Sequence, residues 1–392
     1  MRVLAITNQF PLPLDMGGPL RFFGLAKAMA ERHDVHMLAL ARPNTTDELA
    51  AELRSELGGP VEVFEPLAAR ASAGGWLRAL ARGVPPWIEA QHSPELARRA
   101  AELASEVDAV VLLDDYAGIY ARAVGGRAPV LADKSNVMGW SAANPAVPPR
   151  TRKARAHQAM SVWLVRRFER DAVRRATAVV VTSDEESQRL ARLYGRPADA
   201  VVHSAIDLPA VPERNGAGRA IGWLGTHEYE PNVEGLVRFV EDAWQPLGED
   251  GCRLLIAGRN PSPRVAALER FPGVEIVGFV ESLDEFFARL GAGVVPLWHG
   301  PGVKLKTLTF MGAGVPTAST PVGLEGIDAE NGRDCMIGGD ARGLAEGLRA
   351  IVADPELAAR LSANGRRLVA ERYTWESVGR RFVDLLDTLA VE

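Results

Sequence analysis

The sequence predicts an α/β fold in two halves, each an open parallel sheet wrapped by helices. Three observations carry that expectation. Short apolar strands alternate with helical stretches along the whole chain, and continuous apolar strands separated by helices belong to parallel sheets covered on both faces. The alternation stops at a polar, Gly-containing stretch, residues 212–219, and then restarts. The chain has 392 residues, too many for one ordinary domain.

The elements follow in order. RVLAIT at residues 2–7 reads as a buried strand, PLRFFGLAKAMAERH has apolar residues at helical spacing, and DVHMLAL is a second strand. DAVVLLDD, APVLAD and ATAVVVTS come next, each with a helical stretch behind it. Past the polar break stand AIGWLG, CRLLIAG, VEIVGF and AGVVPL, again with helices between them. YTWESVGRRFVDLLDTLAV reads as a helix that begins after the second half looks complete. Residues 1–210 are therefore expected to form one domain, 216–372 a second, and 373–392 a closing helix. Ligands of open parallel sheets bind beyond the C-terminal strand ends, so two such domains facing each other would frame a cleft lined by strand-to-helix loops.

Composition narrows the function. Hydrophobic residues make up 47% and charged residues 24%, as in soluble globular proteins, and the net charge of −5 gives no reason to expect nucleic-acid binding. Cys252 and Cys335 sit in apolar surroundings, which favours buried free thiols and a reducing cytoplasm. No apolar run approaches the ~18 residues of a membrane span, and the first residues enter a strand directly, unlike a signal peptide. Oligomeric state is left open.

Six loops or helices could carry chemistry. In NQFPLPLDMGGPLRF, Gly17 and Gly18 stand just before a helix, where backbone can approach a ligand and N–H groups favour anions; Arg21 lies in the first turn. In LLDDYAG, one of Asp114 and Asp115 is expected to cap the following helix and the other to point into the cleft as an acceptor ligand or base. An Asp pair also suggests a metal, but no nearby His or third carboxylate supports one. Asp133, Lys134, Ser135 and Asn136 follow a strand directly, more polar residues than a turn requires; Asp133 and Asn136 are expected to act with Asp115 in catalysis, and Lys134 and Ser135 to bind the acceptor with Asp114.

The helix RTRKARAHQAMSVWLVRRFERDAVRRA carries nine Arg or Lys between Arg150 and Arg175. Its simplest reading is a solvated face with Val162, Leu164 and Phe168 turned inward; a basic face for an anionic acceptor or a membrane surface is the alternative. In AIGWLGTHEYEPNVEGL, Gly225, Thr226 and Asn232 are placed to contact a ligand, with His227 beside them. In AGVVPLWHGPGVKLKTL a strand and turn lead to a helix expected to begin near Gly302 or Val303, with Lys304 and Lys306 in its first turn. Cations there oppose the helix dipole unless an anion is bound, so the pair points to a phosphate site.

The stretch FPGVEIVGFVESLDEFFARLGAGVVPLWHGPGVKLKTLTFMGAGVPTASTPVGLEGI resembles the nucleotide-sugar domain of the group 1 (family 4) glycosyltransferases. GGPLRF near the start and RYTWESVGRRF near the end are also typical of that family, so the resemblance spans nearly the whole chain. It implies the GT-B fold: two Rossmann-like domains facing a cleft, the first on the acceptor side, the second binding the nucleotide sugar, and a last helix crossing back to the first. It implies sugar transfer from a nucleotide-diphosphate sugar, usually with retention and without a metal or other cofactor. The diphosphate charge is then met by basic side chains and helix N-termini.

By position, Lys304 and Lys306 fall on the family's basic pair beside the diphosphate, and Gly17 and Gly18 on the glycines that approach the donor phosphates. Phe279 and Val280 fall in the loop that holds the base, and Glu325 on the Glu of the VGxEGL motif. Two departures stand out. Relatives carry Glu, seven residues and a second Glu where this chain has Pro301 and Thr309, so the carboxylate that holds the ribose is replaced by a hydroxyl. Relatives read DxHNVE where this chain reads DKSNVM, so the family His becomes Ser135 and the Glu becomes Met138. The expected substrates are a nucleotide sugar and a small-molecule acceptor. A catalytically silent GT-B-fold partner, a sugar-nucleotide epimerase and a phosphorylase are the alternatives.

Overall fold

In a computed structural model, the structure describes every residue except 15, 68–72, 146–147, 213–217, 301 and 390–392, and no side chains at 73–77. Most of the expected polar break and Pro301 lie outside the described residues. Two compact units emerge, one from Met1–Ser204 with the chain from Val378 onward, the other from Ala205–Ser377.

The first unit is built on β1 (Arg2–Thr7), β2 (Asp34–Leu40), β3 (Val61–Phe64), β4 (Ala109–Leu113), β5 (Val130–Lys134), β6 (Ala178–Val181) and β7 (Ala200–Val201). All pair in parallel, in the order β3-β2-β1-β4-β5-β6-β7. The direction of winding reverses between β1 and β4, and that switch point is where such sheets hold ligands. β4 is buried along its whole length, as a strand covered on both faces must be. The last helix, Trp375–Leu389, packs on the first helix, Gly17–Ala30. A Cβ on Gly379 would lie 2.6 Å from Ala28, and Arg32 reaches Asp384 at 2.7 Å and Asp387 at 2.5 Å.

The second unit contains β8 (Ala220–Leu224), β9 (Arg253–Ala257), β10 (Val274–Gly278), β11 (Ala292–Val295), β12 (Thr317–Ser319) and β13 (Met336–Ile337). They pair in parallel in the order β10-β9-β8-β11-β12-β13, so this sheet reverses between β8 and β11. The change of unit comes at Ser204, ahead of the expected 210. The reason is Ile206, whose N–H bonds the Tyr373 carbonyl at 2.9 Å and whose side chain joins the cluster of Leu308, Met311, Val369 and Tyr373.

The strands not anticipated are β3, β7, β12 and β13. Two are only two residues long, and β12 (TAS) carries no apolar run. It is buried all the same, because the Thr317 and Ser319 hydroxyls bond nearby carbonyls.

Candidate functional site

The polar residues of the first unit gather at the C-terminal ends of β1, β4 and β5. Asn8, after β1, donates its N–H to Asp114 Oδ2 at 3.0 Å, across the switch point. Asp114 Oδ1 accepts the N–H groups of Tyr116 and Ala117. Three backbone donors therefore hold a residue whose φ of 149° a side chain rarely adopts. Asp114 was expected as an acceptor ligand; it is instead the cap of the turn after β4, and its burial moves its carboxyl up to about 7 despite those bonds.

Asp133 and Arg21 also differ from expectation. Asp133 is fully buried, and its two oxygens take Arg21 Nε at 2.9 Å and Nη2 at 2.6 Å. Arg21 spends its other donors on the carbonyls of Val202 and His203. Every nitrogen of Arg21 and both oxygens of Asp133 are engaged within the unit; the bidentate pair ties the first helix to β5 and to the chain after β7. Lys134, expected at the acceptor, is 5% exposed and bridges Asp115 at 2.9 Å and Glu169 at 2.8 Å. Glu169 in turn accepts the N–H groups of Met138 at 3.0 Å and Gly139 at 2.8 Å and the Tyr194 hydroxyl. Ser135 is half-buried and its carbonyl accepts the Thr182 hydroxyl at 2.9 Å.

Asp115 is the remaining strand-end carboxylate. Its side chain is 11% exposed, with Lys134 on one oxygen and Asn136 Nδ2 on the other at 3.0 Å. Burial raises its carboxyl to about 6 against the pull of Lys134. A carboxyl there is poised to hold or release a proton near neutral pH.

Glu169 was missed because the helix Arg152–Arg175 reads as a solvated basic face. A signal was present: Glu169 sits among Val165, Phe168, Ala172 and Val173, all buried, so an acid occupies the apolar stripe. Val162, expected inward, is only half-buried, because the register of the buried face begins at Leu164.

In the second unit the candidate residues surround the β8–β11 switch point. The helix after β11 spans Leu305–Gly312, later than expected, so Lys304 is its N-cap and only Lys306 is in its first turn. Lys304 is buried, donates to the carbonyls of Gly300 and Gly302, and lies 3.7 Å from Glu325. Gly300 and Gly302 have φ of 117° and 80°, which bends the loop so that its carbonyls reach that lysine.

Lys306 Nζ donates to Asn232 Oδ1 at 2.8 Å and stands 4.9 Å from the Trp223 ring centre. Among the described residues no carboxylate pairs with it, and burial together with Lys304 lowers its pKa to about 7. Asn232 is oriented by its Nδ2, which donates to the Thr226 carbonyl at 3.0 Å. Gly225 must be glycine: a Cβ there would stand 2.7 Å from Lys306 Nζ and 2.9 Å from Trp223. His227 stacks on Trp223 with ring centres 5.3 Å apart, and both its nitrogens are buried without a hydrogen-bond partner among the described residues. Burial and Lys306 keep its imidazole neutral.

The other expected donor residues divide. Thr226 and Phe279 are exposed, the latter under the Arg259 guanidinium at 3.9 Å, while Val280 packs into the core beside it. The Thr309 hydroxyl bonds the Leu305 carbonyl one turn back at 2.9 Å. Gly17 and Gly18 open the first helix, whose N-cap Met16 supplies no side-chain bond. A Cβ on Gly18 would meet only Phe22 at 3.4 Å, so neither crowding nor backbone conformation demands a glycine there. Sequence reasoning missed Trp223, Arg259 and Asn8; Asn8 and Trp223 stand within stretches it had singled out, but their roles depend on contacts across the sheet that no local pattern announces. Among the described residues no group of three or more His, Cys, Asp or Glu could hold a metal ion.

Comparison with known proteins adds a family. Residues 17–205 match the glycosyl transferase 4-like domain, and residues 218–354 match the glycosyl transferases group 1 family. No curated protein matches the chain significantly in sequence. Among solved structures, Anabaena HepE in complex with UDP is 15% identical, with a TM-score of 0.69 over 99% of this chain and 100% of that one. Sucrose-phosphate synthase from Thermosynechococcus elongatus is 17% identical, with a TM-score of 0.69 over 99% of both chains. The lipopolysaccharide outer core galactosyltransferase WaaB is 12% identical, with a TM-score of 0.64 over 99% of both chains.

Proposed function

Because the chain belongs to the group 1, family 4 glycosyltransferases of the GT-B fold, which transfer a sugar from a nucleotide-diphosphate sugar, we propose that it glycosylates a small-molecule acceptor with retention of configuration. The observation that carries the donor side is Lys306, a half-buried cation with no carboxylate partner at a helix start beside a sheet's switch point. A diphosphate supplies the charge that Lys306 lacks, and the helix N-terminus adds to the attraction. The neutral His227 offers one donor and one acceptor beside them, and the exposed Phe279 offers a face for the base.

On the acceptor side, Asp115 is the residue we assign to orient or deprotonate the acceptor, with Lys134 and Asn136 holding it in place. Asp133 drops out of this role because Arg21 takes both its oxygens. The ribose is gripped by something other than a carboxylate at position 309, since Thr309 is turned to its own helix. That departure also supports the silent-partner alternative.

A thermal-shift panel of UDP, GDP, dTDP and ADP tests the donor reading. The right nucleotide at 100 times its Kd stabilises by about 2.7 kcal/mol; no shift with any of the four overturns it. Hydrolysis or transfer of the matching sugar nucleotide separates an enzyme from a silent partner. Asp115→Asn is expected to lower kcat with the nucleotide affinity unchanged.

A further inference from the structure

The Arg152–Arg175 helix does two different things along its length. From Leu164 onward it buries an apolar face. From Arg152 to Trp163 no residue is buried, and Met160 and Trp163 are 50% and 53% exposed. Ala154, Gln158, Ser161 and Val162 form a half-buried stripe, with Gln158 donating to the Ala142 carbonyl at 2.9 Å, while Met160 and Trp163 stand in water on the opposite face.

Beside it lies a groove of about 840 Å3 lined by Arg155, Arg166, Arg167 and Arg170 together with Val162 and Trp163. The four arginines lie on one face, at offsets of 11, 12 and 15 from the first. Some exposed arginines of this unit meet carboxylates: Arg122 and Arg175 share Asp171, and Arg196 takes Asp199. Among the described residues none of the four groove arginines does, and they are gathered in one groove. Arg155 and Arg166 reach only the carbonyls of Pro149 and Gly139, at 3.4 and 3.3 Å, and Arg167 lies 5.7 Å from the Trp163 ring. Of the two acids beside Arg170 in sequence, Glu169 is turned inward to Lys134 and Asp171 is taken by Arg122 and Arg175.

We propose that this face docks on a bilayer surface rich in anionic phospholipid. Phosphate headgroups complement the unpaired arginines, and the headgroup–acyl boundary takes Trp163 and Met160, which a soluble phosphate would leave in water. Attachment is to the surface, since no helix among the described residues is long and apolar enough to cross a membrane. The proposal is independent of the donor reading, which rests on the other unit.

The test is flotation of the purified full chain with phosphatidylcholine vesicles, with and without phosphatidylglycerol. The chain is expected to float with the phosphatidylglycerol vesicles only. R155A/R170A is expected to weaken that partition by about 30-fold, roughly five-fold for each charge. R155K/R170K keeps the charge and retains binding, which separates lost charge from misfolding. W163Q is expected to weaken binding several-fold. Equal flotation with both vesicles, no flotation with either, or wild-type binding by R155A/R170A would overturn the proposal. So would full displacement by millimolar inorganic phosphate with W163Q binding as wild type, the signature of a discrete phosphate site.

Discussion

The strand-end cations of the first unit and Lys306 of the second are treated in opposite ways. In the first, Arg21 and Lys134 each meet carboxylates at hydrogen-bond distance, and those carboxylates are themselves buried or nearly so. In the second, Lys306 has an amide oxygen, an indole face and another lysine for neighbours. The first arrangement is complete without a ligand. The second is a charge deficit that folding does not relieve, and a bound anion is what relieves it. A strand-end polar residue is therefore a poor guide to function until its partners are counted.

Removing one member of a closed pair tests this contrast most severely. Asp133→Ala leaves Arg21 buried and unpaired, so a loss of about 3–5 kcal/mol is expected in denaturant melts. Lys306→Ala is expected to do the opposite to the empty protein, leaving stability unchanged or slightly higher at pH 6, because it removes an uncompensated buried charge. If both variants lose stability equally, the contrast between the units is gone.

Ligand affinity should move the other way. Lys304→Ala and Lys306→Ala each remove a charge-assisted contact, so nucleotide-diphosphate affinity is expected to fall by about 1.5–3 kcal/mol while the bare nucleoside binds unchanged. Isothermal titration with diphosphate and nucleoside separates these outcomes. Unaltered diphosphate affinity in both variants would remove this loop as the phosphate site.

Proton linkage sharpens the same point. The Lys306 pKa stands at about 7, below the 10.5 of a free lysine, so between those values the unfolded chain holds the proton and the folded one does not. The cost of burying the charged amine is therefore present in full below about 7, is relieved as pH rises from about 7 to about 10.5, and changes no further above that. An anion raises that pKa, so diphosphate binding at pH 8 is expected to take up a fraction of a proton. Calorimetry in buffers of different ionisation enthalpy reads the uptake, and none would mean Lys306 is already charged or not in contact. The smallest effect belongs to Phe279→Ala, expected to cost about 0.5–1 kcal/mol of nucleotide affinity and none for pyrophosphate, through loss of the aromatic face under Arg259.

Much of the fold is legible in the sequence because burial on both faces of a parallel strand writes itself as an unbroken apolar run. RVLAIT, AVVLL and RLLIA are all strands. TAS at 317–319 is not legible, since its burial is made tolerable by hydroxyl bonds that no local pattern announces. The lysine pair is legible for a related reason. Its conflict with the helix dipole is a local contradiction, visible wherever a helix start can be placed to within a turn.

What no local pattern holds is the choice of partner. Arg21 and Asp133 are 112 residues apart, and only the sheet order brings the first helix alongside β5. The same topology decides that Asp114 caps while Asp115 keeps an edge toward solvent, and that Glu169 turns inward from a helix that reads as basic. Periodicity, turn residues and dipole conflicts are properties of neighbouring residues, so the chain alone determined the two α/β halves and the cationic loop. Charge pairing depends on distances between segments remote in sequence, so only the tertiary structure decided which charged groups are spent on the scaffold and which remain for chemistry.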